Sequence, residues 1–135
     1  MHGLMRLQKN TEVRMIIDAN VILRCILNDN QQLAMQAKSL IENNDCFVPN
    51  EVIAEVVFVL QKVYNVPREE IKNLIIVSFN YFEVSNEMLL RDALLFYAQT
   101  KLDFVDCLLA AYYSVENHQI GTLDKKLNNF ISQIK

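Results

Sequence analysis

Four acidic residues, far apart in the chain, share a local setting that could bring them to one place. Asp18, Asp106 and Asp124 fall at or just after points where the chain is expected to enter a helix, and Glu55 lies one turn inside another helix. In an open parallel sheet such junctions lie at the carboxyl ends of the strands, where these folds build their sites. The spacing therefore predicts one pocket lined by carboxylates.

The chemistry of such a pocket depends on a cation. Clustered carboxylates repel one another at neutral pH, and a positive charge is needed to keep them all ionised. Oxygen ligands alone favour Mg²⁺ or Mn²⁺, and His2 and His118 stand apart in the sequence, which leaves no zinc set. A metal ion held this way neutralises charge on a phosphate and activates a bound water for hydrolysis.

Each acidic residue also has a purely structural interpretation. Asp18 and Asp124 suit the N-cap position of a helix, and so does Asp103. Asp106 lies three residues after Asp103, where the partner residue of a capping box is found. Glu55 shares a helical stripe with Glu51 and Lys62, which is typical of a solvated helix face. Both interpretations stay open for each position.

The predicted elements alternate between short apolar runs and helices. Candidate strands cover residues 13–17, 46–48, 82–84 and 119–122. Candidate helices cover about 19–28, 33–41, 50–64, 67–79, 86–96 and 104–117, with a last helix beginning at 124. Asn50 and Asn86 are predicted as N-caps. This alternation predicts an α/β sandwich, with a short parallel sheet covered by helices on both faces.

Composition predicts one globular domain in a reducing compartment. The chain has 135 residues, of which 52% are hydrophobic and 21% charged, and this excludes disordered and low-complexity classes. No apolar run approaches the roughly 18 residues of a membrane span, and residues 1–14 lack the apolar stretch of a signal peptide. Three widely spaced cysteines, Cys25, Cys46 and Cys107, indicate buried free thiols. We therefore expect a cytoplasmic protein.

Four segments carry a resemblance to a known family. MIIDANVILR, PNEVIAEVVFVL, LDFVDCLLAA and GTLDKKL follow one another between residues 13 and 130. In this order and spacing they resemble the PIN-domain family, and within it the VapC-type toxins. The resemblance implies a PIN-like three-layer α/β/α sandwich and a Mg²⁺- or Mn²⁺-dependent endoribonuclease that leaves a 5′ phosphate and a 3′ hydroxyl. It also implies a homodimer and an antitoxin protein that covers the groove.

The resemblance assigns roles residue by residue. The catalytic and metal-binding acids fall on Asp18, Glu55, Asp106 and Asp124. Asn20 matches a polar position that supports the first aspartate, and Thr122 matches the hydroxyl residue two positions before the last acid. Asp103 is extra to the motif and is interpreted as a helix cap that adds charge to the pocket. The domain is predicted to cover residues 15–135, after a flexible N-terminal extension at 1–14.

Local basic residues are needed for any contact with RNA, because the formal net charge is −3. The basic groups placed by sequence to border the pocket and hold the RNA backbone are Arg24, Lys62, Lys101, Lys125 and Lys126. Each has the alternative interpretation of an ordinary solvated charge. Phosphate contacts fix position and carry no base information, so the choice of RNA is not predicted.

Two other functions are compatible with parts of the sequence. A phosphatase could use Asp18 as nucleophile and Asp124 as a metal ligand, but Asn20 stands where the second aspartate of an Asp-x-Asp motif belongs, and the chain is too short for the usual cap. A non-catalytic PIN scaffold that binds RNA or a protein partner is the alternative from another class.

A pairing surface is predicted on the helices between residues 31 and 79. Their apolar area is more than a chain of this size would easily cover alone. The candidate residues for contact with a second copy are Val59, Val63, Ile76 and Val77. The same residues could belong to the core.

Overall fold

The computed structural model describes residues 10–134, with side chains from Val13 onward. The elements of this part of the chain are, in order, β1 (Asn10–Ile16), α1 (Ala19–Leu27), α2 (Gln31–Glu42), β2 (Asn44–Phe47), α3 (Asn50–Lys62), α4 (Arg68–Ser78), α5 (Glu87–Gln99), α6 (Phe104–Glu116) and α7 (Lys125–Gln133). The fold is α/β and mostly helical, with a short parallel sheet, which is consistent with the predicted α/β/α sandwich.

The sheet is built on one parallel pair. β1 and β2 are aligned with Met15 opposite Cys46 and Ile16 opposite Phe47. The backbone N–H of buried Ile17 continues the ladder by donating to the carbonyl of Phe47 at 3.0 Å. β1 begins at Asn10, so the strand extends into the predicted extension at 1–14, while residues 1–9 lie outside the described residues.

A third segment joins the sheet at a single point. Glu83 forms an isolated parallel bridge with Phe47. Its carbonyl accepts from the N–H of Val48 at 2.8 Å, and its N–H donates to the carbonyl of Cys46 at 2.9 Å. The strand predicted at 82–84 is therefore present as one bridge beside β2.

The strand predicted at 119–122 is wrong, because residues 117–124 have no regular structure. The polar groups of Thr122 are used by the helix that follows. Its Oγ1 accepts from the N–H of Asp124 at 3.1 Å, and its carbonyl accepts from Nδ2 of Asn128 at 2.9 Å. These bonds shape the turn into α7 instead of a strand ladder.

The two predicted asparagine caps have different outcomes. Asn86 caps α5, since its side chain accepts from the N–H of Leu89 at 3.1 Å. Asn50 is not the cap of α3, because Pro49 occupies that position and Asn50 is the first helical residue. The Asn50 side chain instead accepts from Oγ of Ser85 at 3.3 Å, and so it bridges to the segment that precedes α5.

The centre of the core is α6, as its nearly continuous apolar sequence predicts. It packs against α3, α5 and α7. Ala110 and Ala111 of α6 and Ala93 of α5 are fully buried, and side chains this small let helices approach closely. Cys46 and Cys107 are buried free thiols, while Cys25 is half-buried. No helix within residues 10–134 has the length and apolar character needed to cross a membrane.

Candidate active site

Asp18 lies at the carboxyl end of β1. The bond from Ile17 to β2 fixes the backbone just before it, and Asp18 then takes the N-cap position of α1. Its Oδ1 accepts from the N–H of Val21 at 3.1 Å. The carboxylate is exposed, and Oδ2 takes no part in the capping bond. Neighbouring Asn20 is also exposed and makes no hydrogen bond with Asp18.

Glu55 is exposed on α3, next to the fully buried Val56 and Val57. The helix packs against α1, which follows Asp18, and against α6, which carries Asp106. Within residues 10–134, neither Glu55 nor Lys62 forms an ion pair. The helical stripe predicted from sequence is therefore exposed but is not joined by salt bridges.

The first turn of α6 carries two carboxylates that do not cap it. Asp103 occupies the N-cap position, yet its side chain makes no capping hydrogen bond. Asp106, three residues later, is partly buried and does not make the reciprocal bond of a capping box. Asp103 therefore occupies the predicted N-cap position, but its side chain does not form the predicted capping hydrogen bond.

Asp124 begins α7 in the same way as Asp18 begins α1. Its Oδ1 accepts from the N–H of Leu127 at 3.0 Å, which makes it a true N-cap. Its own backbone N–H is held by Oγ1 of Thr122 at 3.1 Å. Thr122 thus fixes the backbone of Asp124.

Electrostatic interaction joins the starts of α6 and α7. Partial burial raises the pKa of Asp106, and the negative charges of Asp103 and Asp124 raise it further. These three carboxylates therefore feel one another in the folded chain, although Asp124 belongs to a different helix. The structure brings Asp106 and Asp124 into one environment and leaves Asp18 and Glu55 on the neighbouring elements α1 and α3.

Comparison with known families identifies the domain. A model of the PIN domain matches residues 15–130. The chain belongs to the PIN-domain family. No curated protein and no solved structure matches it. PIN domains are nuclease domains, typically of metal-dependent ribonucleases, so the carboxylates are found in a nuclease fold.

The oxygen donors of this PIN domain suit a divalent cation in their chemistry. Asp103, Asp106 and Asp124 offer hard carboxylate oxygens of the kind that Mg²⁺ and Mn²⁺ prefer. Burial raises the pKa of Asp106 and the charges of Asp103 and Asp124 raise it further; a bound cation would relieve the repulsion among these three carboxylates. Within residues 10–134, however, no three His, Cys, Asp or Glu side chains are close enough together to hold one ion.

Arg68 is a residue that the sequence analysis missed. Its Nη1 donates to the carbonyls of Tyr97 at 3.0 Å and Leu102 at 2.8 Å. Its guanidinium also stacks over the Tyr97 ring, 4.1 Å from the centroid, and the Tyr97 hydroxyl donates to Gln61 at 2.6 Å. Because Leu102 directly precedes Asp103, Arg68 ties the end of α5 to the backbone that presents the acidic residues of α6.

A local signal could have drawn attention to Arg68. It is the first residue of α4, where the helix dipole disfavours a cation. A cation at this position is a candidate for a partner elsewhere in the fold. The sequence alone does not show that this partner is the carbonyl of Leu102.

The predicted basic residues occupy different surroundings. Arg24 is paired with Asp29 at 3.6 Å. Lys62 is exposed in the last turn of α3. Lys101 directly precedes Leu102, and Lys125 and Lys126 open α7; all three are exposed. Lys101, Lys125 and Lys126 are therefore adjacent in sequence to the carboxylates of α6 and α7.

Proposed function

We propose that this PIN domain is a metal-dependent endoribonuclease that hydrolyses RNA phosphodiester bonds. Its catalytic and metal-binding residues are Asp18, Glu55, Asp106 and Asp124. The observation that carries the proposal is that Asp106 lies close enough to Asp103 and Asp124 to interact with their charges, in a chain of a nuclease family. Bound Mg²⁺ or Mn²⁺ would neutralise charge on the scissile phosphate and activate a water molecule.

The helix caps support this role for two of the acids. Asp18 and Asp124 each tie Oδ1 to a backbone N–H of the following helix, which holds the carboxylate in one orientation. The second oxygen of each remains available for a cation. Capping and metal binding are thus compatible in one residue, and the structural interpretation of these aspartates does not compete with the functional one.

The basic residues beside the acids supply the contacts with substrate. Lys101, Lys125 and Lys126 are proposed to hold RNA phosphates next to the cleaved bond, with Lys62 and Arg24 further along the backbone. Arg24 must exchange its contact with Asp29 for a phosphate, so it is the weakest of the five candidates. These contacts position the RNA and do not select a sequence.

The biological role proposed is that of the toxin in a toxin–antitoxin pair, with an antitoxin protein as partner and a homodimer as the assembly. It is supported by the resemblance of the four sequence segments to VapC-type toxins. Val63 and Val77 are 62% and 57% exposed, whereas Val59 and Ile76 pack against the core. Only Val63 and Val77 therefore stay as candidates for a pairing surface.

A second function is favoured by one observation. The described carboxylates are not gathered into a set of three, which suits a non-catalytic PIN scaffold that binds RNA or a protein partner. The experiment is an assay of the purified chain with structured RNAs in Mg²⁺, Mn²⁺ or EDTA. We expect cleavage with either metal ion and none in EDTA. RNA that is bound but never cut would support the scaffold instead.

A further inference from the structure

A groove of about 300 Å³ lies between α7 and the segment that connects α5 to α6. One wall is the connecting segment at residues 100–102. The other wall is a stripe on α7 formed by Lys126, Asn129, Phe130 and Gln133. We call this feature the α7 groove. Its volume is at the lower end of the range found for ligand pockets, about 300–1,000 Å³.

The polar members of the stripe on α7 are not needed to pack the helix. Its members are spaced three, four and seven residues apart, which places them on one helical face. The core contacts of α7 come from Leu127, Ile131 and Ile134, with Phe130 at the border between the two faces. Polar residues at 126, 129 and 133 therefore face the groove without serving the core.

Two residues that line the α7 groove are close in sequence to the acidic residues. On one wall, Leu102 is followed immediately by Asp103; on the other, Lys126 comes two residues after Asp124. Asp103 and Asp124 both act on the pKa of Asp106. A chain molecule that lay in the groove would thus contact residues that flank the acidic site in sequence.

The charge of the α7 groove is opposite to that of the whole chain. Lys101 and Lys126 line it, are exposed, and have no ion-pair partner among the described residues. The first turn of α7 contains two lysines, Lys125 and Lys126, and no acidic residue, although the helix dipole disfavours cations there. Residues that weaken the helix in which they lie are expected at functional positions.

Phe130 gives the groove a fixed aromatic surface. Its ring is partly exposed and packs edge-to-face on the buried Phe96, with the centroids 5.0 Å apart. A nucleobase can stack on such a ring only when it is free of its own helix, as in single-stranded RNA. Asn129 and Gln133 add amide donors and acceptors for the edge of a base.

We propose that the α7 groove binds the single-stranded RNA next to the scissile phosphate. Lys101 and Lys126 contact backbone phosphates, and a base lies against Phe130. The proposal rests on the proposed ribonuclease function and adds to it the path of the RNA along the chain's own residues. It also predicts that base preference beside the cut is set by Asn129 and Gln133.

The phosphate contacts are tested through the salt dependence of binding. The probe is a fluorescein-labelled single-stranded phosphorothioate RNA, which resists hydrolysis and keeps its backbone charge, measured by anisotropy. The variant is Lys101→Ala/Lys126→Ala, and the control Lys38→Ala/Lys72→Ala removes the same charge from α2 and α4. The slope of log Kd against log salt should fall by about 1.4 in the groove variant, or about 0.7 per lost single-strand phosphate contact. An equal slope in variant and control overturns the proposal.

The stacking contact is tested with Phe130→Leu, which keeps an apolar side chain against Phe96. Loss of one stacked base should weaken binding of the single-stranded probe by roughly 5- to 140-fold and leave binding of a duplex RNA unchanged. Asn129→Ala is the companion variant, because the exposed Asn129 side chain can be removed without harm to the core. It should alter base preference at one position beside the cut. Unchanged binding in Phe130→Leu overturns the stacking contact, and unchanged preference in Asn129→Ala overturns the contact with the base edge.

Cleavage is measured separately, so that the two proposals fail in different ways. If the wild type binds the probe through the groove but cuts no RNA, the nuclease proposal fails and the groove stands only as a binding site for single-stranded RNA. If the wild type cuts RNA and the groove variants bind like the control, the groove fails and the nuclease stands. A wild type that binds no single-stranded RNA overturns the groove outright.

Discussion

Replacement of Arg68 by methionine tests how the acidic end of α6 is held. The change keeps the length of the side chain. It removes the two hydrogen bonds that the guanidinium donates to the carbonyls of Tyr97 and Leu102, and it removes the stacking of the guanidinium on the Tyr97 ring. Each such bond contributes about 1.5–3 kcal/mol and the cation–π contact about 0.5–2 kcal/mol. Since these contributions overlap, we expect a loss of about 3–5 kcal/mol.

The matched control for this variant is Arg91→Met. Arg91 forms an exposed pair with Glu87 on α5 at 2.8 Å, a kind of contact that contributes only about 0.3–0.5 kcal/mol. Urea denaturation gives the free energy of unfolding of both variants, and the melting temperature of Arg68→Met should fall by roughly 12–20 °C. If the two variants lie within about 0.5 kcal/mol of each other, the role assigned to Arg68 is refuted.

Three further predictions concern charge and association. In metal-free protein, Asp106→Asn should leave the free energy of unfolding unchanged or slightly raised. At a Mg²⁺ concentration of ten times Kd, the free energy of unfolding of the wild type should rise by about 1.4 kcal/mol, and that of the variant by much less. An equal gain in the variant argues against Asp106 as a ligand. Because the pKa of Asp106 is raised in the folded chain, the protonated carboxyl group favours folding over the ionised one. This contribution to stability is complete below the ordinary carboxyl pKa and is lost as pH rises through the folded pKa. The stability advantage of Asp106→Asn should therefore vanish on acidification, and an advantage that does not depend on pH contradicts this. Val63→Glu should convert the proposed dimer to monomer in light scattering, and a wild type that is monomeric at micromolar concentration ends the proposal.

Features encoded in a few neighbouring residues could be predicted from the sequence. The caps at Asp18, Asn86 and Asp124 each depend on a side chain and a backbone N–H three residues later. The apolar run that makes α6 central depends only on helical periodicity. The Glu87–Arg91 pair depends on the same spacing. In these cases the interacting groups lie within a few residues of one another in the sequence.

Features that depend on contacts between distant segments could not be predicted from the sequence. Asn50 fits an N-cap locally, but Ser85 and Pro49 give it another position and another partner. Asp103 has the type and place of a cap, and only the folded chain shows that its side chain makes no capping bond. Arg68 reaches the carbonyl of Leu102 across two helices, and no short pattern contains both residues.

The most direct test of the proposed active site is the initial rate of RNA cleavage during a Mg²⁺ titration. Wild type is compared with four single variants: Asp18→Asn, Glu55→Gln, Asp106→Asn and Asp124→Asn. Asparagine caps helices about as well as aspartate, so the variants at Asp18 and Asp124 should stay folded and the measurement should report chemistry. We expect cleavage by the wild type that rises with Mg²⁺ and disappears in EDTA, and its loss in all four variants. Variants that cleave at the wild-type rate, or cleavage that persists in EDTA, would contradict a carboxylate-bound metal centre.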